Sequence, residues 1–290
     1  MDHYRFQDIA NGVVAAVATP GGGGRGNSAI VRIGRAALVF DTGMTPQAGE
    51  ELRQAAERLG PVRWVVNSHW HGDHIRGNQA FPEAEIVATS RTKELIETRA
   101  AAQVAEQKAL DRSAQLTGLL EGTRRQRGRL DKTLDGRIEG FRQLASTIAQ
   151  VELRSPTMTF VDHLELGPGR ELVTLGGGHT ESDAFLVLSE ERVGVLGDLL
   201  VVEMHPWMGA GDPVRWIEIL NKIEQLGMDR FVPGHGPVAT IHDVRALRDH
   251  LEAFLADPEG IESSYPGWDF WGDTADRNRA FLRDRRDRIG

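Results

Sequence analysis

Residues 69–74 read His-Trp-His-Gly-Asp-His. Three imidazoles and a carboxylate so close together cannot be buried without partners, so the hexapeptide is a poor packing element. Neutral imidazole nitrogen and carboxylate oxygen are ligands that zinc and related first-row ions prefer. The segment before it, Val62-Arg63-Trp64-Val65-Val66, is apolar and β-branched enough to read as a buried strand. The hexapeptide is therefore predicted to leave the carboxyl end of that strand in a loop, where functional residues sit on a rigid scaffold.

The chain has 290 residues, long enough to bury a large core in one or two domains. Hydrophobic content of 40% and charged content of 26% describe an ordinary globular composition. A net charge of -8 disfavours a dedicated nucleic-acid binder, and no nucleic-acid partner is expected. Cysteine is absent, which removes disulfides, thiolate ligands and thiol nucleophiles. No apolar run approaches the roughly 18 residues that span a bilayer, so no membrane association is expected. Met1–Arg5 lacks a basic n-region, and the apolar run Val13–Ala18 is short for a signal peptide. That run reads as a first strand, and a cytoplasmic location is expected.

Further strands are predicted at Ala29–Ile33, Ala37–Phe40, Glu85–Ala88, Thr157–Val161, Arg170–Thr174, Ala184–Leu188, Arg192–Leu196 and Arg230–Val232. Gly21–Gly24 reads as a turn or loop; a phosphate-binding reading fails because no Gly-Lys-Ser/Thr follows. Helices are expected over Pro46–Leu59, Trp216–Leu226 and Asp243–Leu255, with a solvated charged helix over Asp273–Arg288. Residues 91–150 contain no proline and lack strand-like alternation. Leu130, Leu134, Ile138, Phe141, Leu144 and Ile148 recur at helical spacing, and Gly118, Gly122 and Gly128 interrupt the run. This predicts a helical insertion, either a packed hairpin or a lid or dimer arm; a homodimer through it is an open expectation. The whole chain, 1–290, is otherwise expected to form a single domain.

Three more candidate ligands stand at ends of predicted strands. His179 follows Leu175-Gly176-Gly177-Gly178, where the backbone can approach closely. Asp198 ends an apolar run that would be a costly place for an unpaired carboxylate. His235 lies between Pro233-Gly234 and Gly236-Pro237, rigidly presented. The motif His-x-His-x-Asp-His at 69–74, followed in order by His179, Asp198 and His235, resembles the metallo-β-lactamase superfamily. Asp41 in Asp41-Thr42-Gly43 resembles that family's early structural aspartate, and Gly178-His179-Thr180, Gly197-Asp198 and Pro233-Gly234-His235-Gly236 resemble its later motifs. The match runs over about residues 10 to 245.

The resemblance implies an α+β fold, the four-layer αββα metallo-β-lactamase sandwich, with the helical insertion added. It implies a first metal held by His69, His71 and His179, a second held by Asp73, His74 and His235, and Asp198 bridging both. Two zinc ions are the implied cofactors, with iron or manganese as alternatives. The implied activity is a dinuclear hydrolase using a metal-bridging hydroxide, with Asp73 orienting the nucleophile or passing a proton. Asp41 and Asn67 are candidates to orient the ligating imidazoles. Trp70, His205 and Trp207 are candidate substrate contacts, weighed against buried packing.

The missing cysteine removes the family's thiolate-using β-lactamase subclasses, and Asp198 departs from the remaining one. The resemblance therefore points to the glyoxalase II and lactonase-like branch, with a small-molecule ester, thioester or lactone as substrate. Three alternatives stay open: β-lactamase activity, a mononuclear iron enzyme resembling persulfide dioxygenases, and a non-catalytic metal-binding interaction module.

Overall fold

The computed structural model describes residues 2–109, 142–143, 145–261, 268 and 271–289. The chain divides into two compact units, Met1–Phe160 and Val161–Gly290.

The first unit holds a seven-stranded sheet in sequential order: β1 (Tyr4–Ala10), β2 (Val13–Ala18), β3 (Ser28–Ile33), β4 (Ala36–Phe40), β5 (Val62–Val66), β6 (Glu85–Thr89) and β7 (Met158–Phe160). Neighbours β1 to β4 pair antiparallel and β4 to β7 pair parallel. Val13–Ala18, expected to be the first strand, is the second. The strand ahead of it is an edge strand whose Arg5, Gln7 and Asp8 face solvent, so it carries little apolar signal.

Between β4 and β5 runs helix α1 (Pro46–Glu57). Thr45 caps it by accepting from the Ala48 N–H, and Pro46 opens it where its missing donor costs nothing. Ala48, Leu52 and Ala56 recur every four residues and bury one face in a core with Ile30, Val39 and Val65. A short helix α2 (Gly72–Ile75) follows β5.

At the start of the expected insertion, α3 (Ser90–Leu95) continues through a π turn (Ile96–Ala100) into α4 (Ala101–Ala109). At its end, 145–147 are helical and Ile148–Gln150 form a 3-10 turn. Val104, Ile148 and Val151 pack together between these segments. The middle of the insertion, with Gly118, Gly122, Gly128, the stripe from Leu130 to Phe141 and Leu144, lies outside the described residues.

The second unit holds a five-stranded sheet ordered β12-β11-β10-β9-β8, with β8 (His163–Gly167), β9 (Arg170–Thr174), β10 (Ala184–Leu188), β11 (Val193–Val201) and β12 (Arg230–His235). It is antiparallel except for the parallel β11–β12 pair. All nine residues of β11 are buried, and it runs five residues beyond the expected end at Leu196. Gly197-Asp198 reads as a strand end, but Asp198 has partners that let the strand continue, as described below.

Among its described residues this unit also has the helices α5 (Pro213–Glu224), α6 (Ile241–Ala256) and α7 (Trp271–Ile289). Trp216, Ile219, Leu220 and Ile223 of α5 and Val244, Leu247, Leu251 and Phe254 of α6 form helical stripes in one core. The charged α7 is not solvated all round: Ala275, Asn278 and Leu282, at spacings of three and four, are buried. No described helix is long and apolar enough to cross a membrane.

Candidate functional site

The first unit places His69, His71, Asp73 and His74 directly after β5, whose neighbours β4 and β6 are parallel to it. His71 stands at the N-terminus of α2, and the helix turn carries Asp73 and His74. The ligand atoms offered by His69 and His71 lie within 4.8 Å of each other, as do those of Asp73 and His74. The His69 ring centroid is 4.6 Å from that of His71 and 4.4 Å from that of His74.

Asp41 organises this group from the end of β4. Its backbone takes the left-handed conformation, φ 60°, which L residues adopt at a cost. The carboxylate accepts from the Ser68 N–H (2.8 Å) and the Ser68 hydroxyl (2.7 Å) and lies 2.8 Å from His74 Nδ1. An ionised Asp41 accepting from Nδ1 leaves the His74 lone pair on Nε2, the tautomer a metal ligand needs. Ser68 Oγ is also 2.8 Å from His69 Nδ1, so one hydroxyl links Asp41 to a second ligand ring. Burial pushes the Asp41 carboxyl above the usual carboxylate range, against the opposing pull of His74 and Ser68.

Asn67, expected to orient a ligand imidazole, is instead turned to Asn78. The two amides exchange hydrogen bonds of 3.0 and 2.9 Å, and Asn78 also accepts from the Thr42 hydroxyl at 2.9 Å. Thr42 in turn donates its N–H to the His74 carbonyl at 2.8 Å. Asn67 is thus paired side chain to side chain with Asn78.

Asp73 has a cationic neighbour that the sequence did not single out: Arg25 Nε is 3.4 Å from Asp73 Oδ2. Arg25 belongs to the glycine-rich loop after β2. At Gly26 of this loop a Cβ would come within 2.8 Å of the Asp73 carbonyl oxygen and of His74 Cε1. The glycine leaves the space beside the His74 ring open.

The second unit gathers His179, Asp198 and His235. His179 Nε2 is 3.2 Å from Asp198 Oδ2, and His235 Nε2 is 3.4 Å from Asp198 Oδ1. One carboxylate thus presents a different oxygen to each imidazole. Asp198 reaches this position where the β11–β12 register is irregular, between Gly197 opposite Pro233 and Val201 opposite His235. A Cβ on Gly234 would sit 1.9 Å from Asp198 Oδ1, so only glycine leaves room for the carboxylate there.

His179 is held by Asp183, which the sequence reading also missed. This buried carboxylate accepts from the N–H groups of Gly178 (2.8 Å) and Thr180 (3.0 Å) and from the Thr180 hydroxyl (2.8 Å). Burial raises its pKa, against the pull of His179 and these donors. A turn-forming aspartate just ahead of the apolar strand Ala184–Leu188 is the signal that marks it.

The three candidate substrate contacts separate. Trp70 is buried, with its ring 4.7 Å from His71 and the Arg99 guanidinium 5.8 Å from its centroid, so it packs. His205 is buried and turned to His250, Nδ1 to Nε2 at 3.4 Å. Trp207 alone of the three is exposed, at 37%, and its ring lies 6.3 Å from that of His179.

The donor set of each unit is imidazole nitrogen and carboxylate oxygen without sulfur, which fits zinc and other first-row divalent ions. The described residues thus carry a His/Asp cluster able to bind metal.

The family model described as the metallo-beta-lactamase superfamily matches residues 21–235. The chain belongs to the metallo-β-lactamase superfamily. Its members are mostly metal-dependent hydrolases. The fold agrees with the α/β sandwich expected of such a member, two mixed sheets with flanking helices. Solved structures carry the same fold. A metallo-β-lactamase from Hirschia baltica is 16% identical, with 85% of this chain and 96% of that chain covered and a TM-score of 0.60. The metallo-β-lactamase FIM-1 from Pseudomonas aeruginosa, in a mono-zinc form, is 15% identical, with coverages of 88% and 97% and a TM-score of 0.61. A metallo-β-lactamase from Pontibacter korlensis is 19% identical, with coverages of 86% and 99% and a TM-score of 0.59. No curated protein matches the chain.

Proposed function

We propose that this superfamily member is a dinuclear zinc-dependent hydrolase of ester, thioester or lactone substrates. The observation that carries the reading is Asp198, whose two oxygens face His179 and His235 separately. A carboxylate with an imidazole at each oxygen is suited to two ions, one beside each ring. In this reading, as the family resemblance implies, His69, His71 and His179 would hold one ion and Asp73, His74 and His235 the other, with Asp198 available to both. Bound divalent ions supply a water of lowered pKa and a Lewis acid for the carbonyl oxygen.

The chain's own groups do the rest. Asp41 and Ser68 fix the His74 and His69 rings, and Asp183 fixes the turn that carries His179. Asp73, beside Arg25, orients the nucleophile and holds a proton in transfer to the leaving group.

The Asp198 carboxylate would add negative charge to such a site, which would weaken bound ions as Lewis acids and make a bound nucleophile more electron-rich. Activated acyl groups suit that balance better than amides do. β-Lactam hydrolysis is the second reading, favoured by the names of the solved relatives. A panel of thioester, lactone, aryl ester, phosphodiester and β-lactam substrates, tested on zinc-loaded full-length chain, separates the two. The proposal expects thioester or lactone turnover to lead; β-lactams turned over far faster than either would overturn it.

A further inference from the structure

Between β11 and α5 the second unit carries the segment Met204-His205-Pro206-Trp207-Met208-Gly209-Ala210-Gly211-Asp212. Pro206 and Met208 are buried, while Trp207 between them is exposed. The peptide on either side of Trp207 is gripped by one side chain of α7. Asn278 Oδ1 accepts from the Met208 N–H at 2.9 Å, and Asn278 Nδ2 donates to the Pro206 carbonyl at 2.8 Å. Asn278 is itself 1% exposed and sits in the stripe between Ala275 and Leu282, where an apolar residue would ordinarily pack.

A buried amide at such a position is costly unless both its ends are satisfied, and here both are spent on one three-residue stretch. A two-ended bond to the backbone around a residue fixes that residue's Cα and the direction of its side chain.

The rest of the segment is fixed in the same sense. The Asp212 N–H donates to the Gly178 carbonyl at 2.9 Å, and Arg285 of α7 pairs with the Asp212 carboxylate. At Gly211 a Cβ would lie 2.0 Å from the Gly178 carbonyl oxygen, so the segment presses directly on the turn that carries His179. At Gly209 a Cβ would lie 2.7 Å from Trp207 Nε1, so the indole lies folded over that glycine. The result is a large apolar ring set T-shaped to His179 at 6.3 Å, with Trp216 T-shaped to the same imidazole at 5.3 Å.

We propose that Asn278 is a positioning residue that sets Trp207 as the apolar wall receiving the acyl group of the substrate. The substrate class this selects is an ester or thioester with an uncharged alkyl or aryl acyl group. The acyl preference rests on the hydrolase reading above; the link between Asn278 and Trp207 does not.

The test uses zinc-loaded full-length chain labelled with 5-fluorotryptophan. The chain has six tryptophans, and the fluorine resonance of Trp207 is identified by its loss in Trp207→Phe. Asn278→Ala is expected to shift or broaden that resonance while those of Trp64 and Trp70 stay in place. Gly209→Ala, whose Cβ would meet the Trp207 indole directly, is expected to move the same resonance, and Asn278→Asp, which keeps the acceptor for the Met208 N–H and loses the donor to the Pro206 carbonyl, serves if Asn278→Ala does not fold. A Trp207 resonance unmoved by the folded variants overturns the positioning role.

For the wall, aryl octanoate and aryl acetate esters are compared. Asn278→Ala and Gly209→Ala are expected to raise KM for the octanoate about tenfold, a typical loss for an apolar contact, with the loss falling on KM and not on kcat. An equal effect on acetate and octanoate overturns the acyl preference. If no ester, thioester or lactone is hydrolysed at all, the hydrolase reading fails. Titration with octanoate anion, which needs no turnover, then decides the wall: movement of the Trp207 resonance supports it, and an unmoved resonance overturns it.

Discussion

At the scale of single residues, the candidate site depends on side chains that are not themselves ligands. Asp41 is buried, strained at φ 60°, and spends its carboxylate on Ser68 and His74. Asparagine tolerates the left-handed backbone and keeps the shape while losing the charge. Asp41→Asn is therefore expected to weaken metal affinity about 10- to 100-fold, the usual effect of removing a group that orients a ligand imidazole. Competition with a chelating dye measures it; an unchanged affinity would remove Asp41 from the site. Gly234→Ala is expected to displace Asp198, because its Cβ would sit 1.9 Å from Oδ1. Fewer metal equivalents retained after dialysis is the readout. The candidate ligand residues stood out in the sequence because they cluster or follow glycine turns at strand ends. Ser68, Arg25 and Asn278 did not, because each acts through a contact that only the folded chain creates.

At the scale of elements, legibility followed burial. Val62–Val66, Arg170–Thr174 and Ala184–Leu188 were read to the residue, and their apolar or alternating runs explain why. The strands Tyr4–Ala10 and His163–Gly167 were missed; both are edges of their sheets, the first with four of seven residues exposed and the second with none buried. Helix α6 opens with a capping box in which Thr240 and Asp243 satisfy each other's backbone N–H groups. Thr240→Ala is expected to cost about 1 kcal/mol, read as a lower urea midpoint with unchanged slope.

The same helix carries His250, whose pKa is pushed down to about 3 by burial and by the neighbouring His205. An unfolded histidine titrates near its ordinary value of about 6.5. The unfolded chain therefore binds the extra proton first as pH falls. The stability this neutral imidazole contributes is complete above about pH 6.5 and is lost on going toward pH 3, by up to about 1.4 kcal/mol per pH unit. Urea midpoints at pH 7 and pH 5 should show a smaller difference in His250→Leu than in the parent chain. An equal difference would assign the acid loss elsewhere.

At the scale of the whole molecule, the order of motifs from residue 69 to residue 235 identified the superfamily, and the family match over residues 21–235 establishes it. The division into two compact units was not legible, because both units show the same strand-and-helix grammar and no composition shift marks residue 160. Which aromatic side chains are exposed was not legible either: Trp70 and Trp207 read alike in sequence, yet one is packed and the other presented. The central claim is a two-metal hydrolytic site with Asp198 shared between the ions. Its most direct test is the number of metal equivalents retained per chain after zinc loading and dialysis, in the parent protein and in Asp198→Asn. The account predicts two zinc equivalents for the parent and fewer for the variant. One equivalent in both proteins, or iron alone retained from expression, would contradict it.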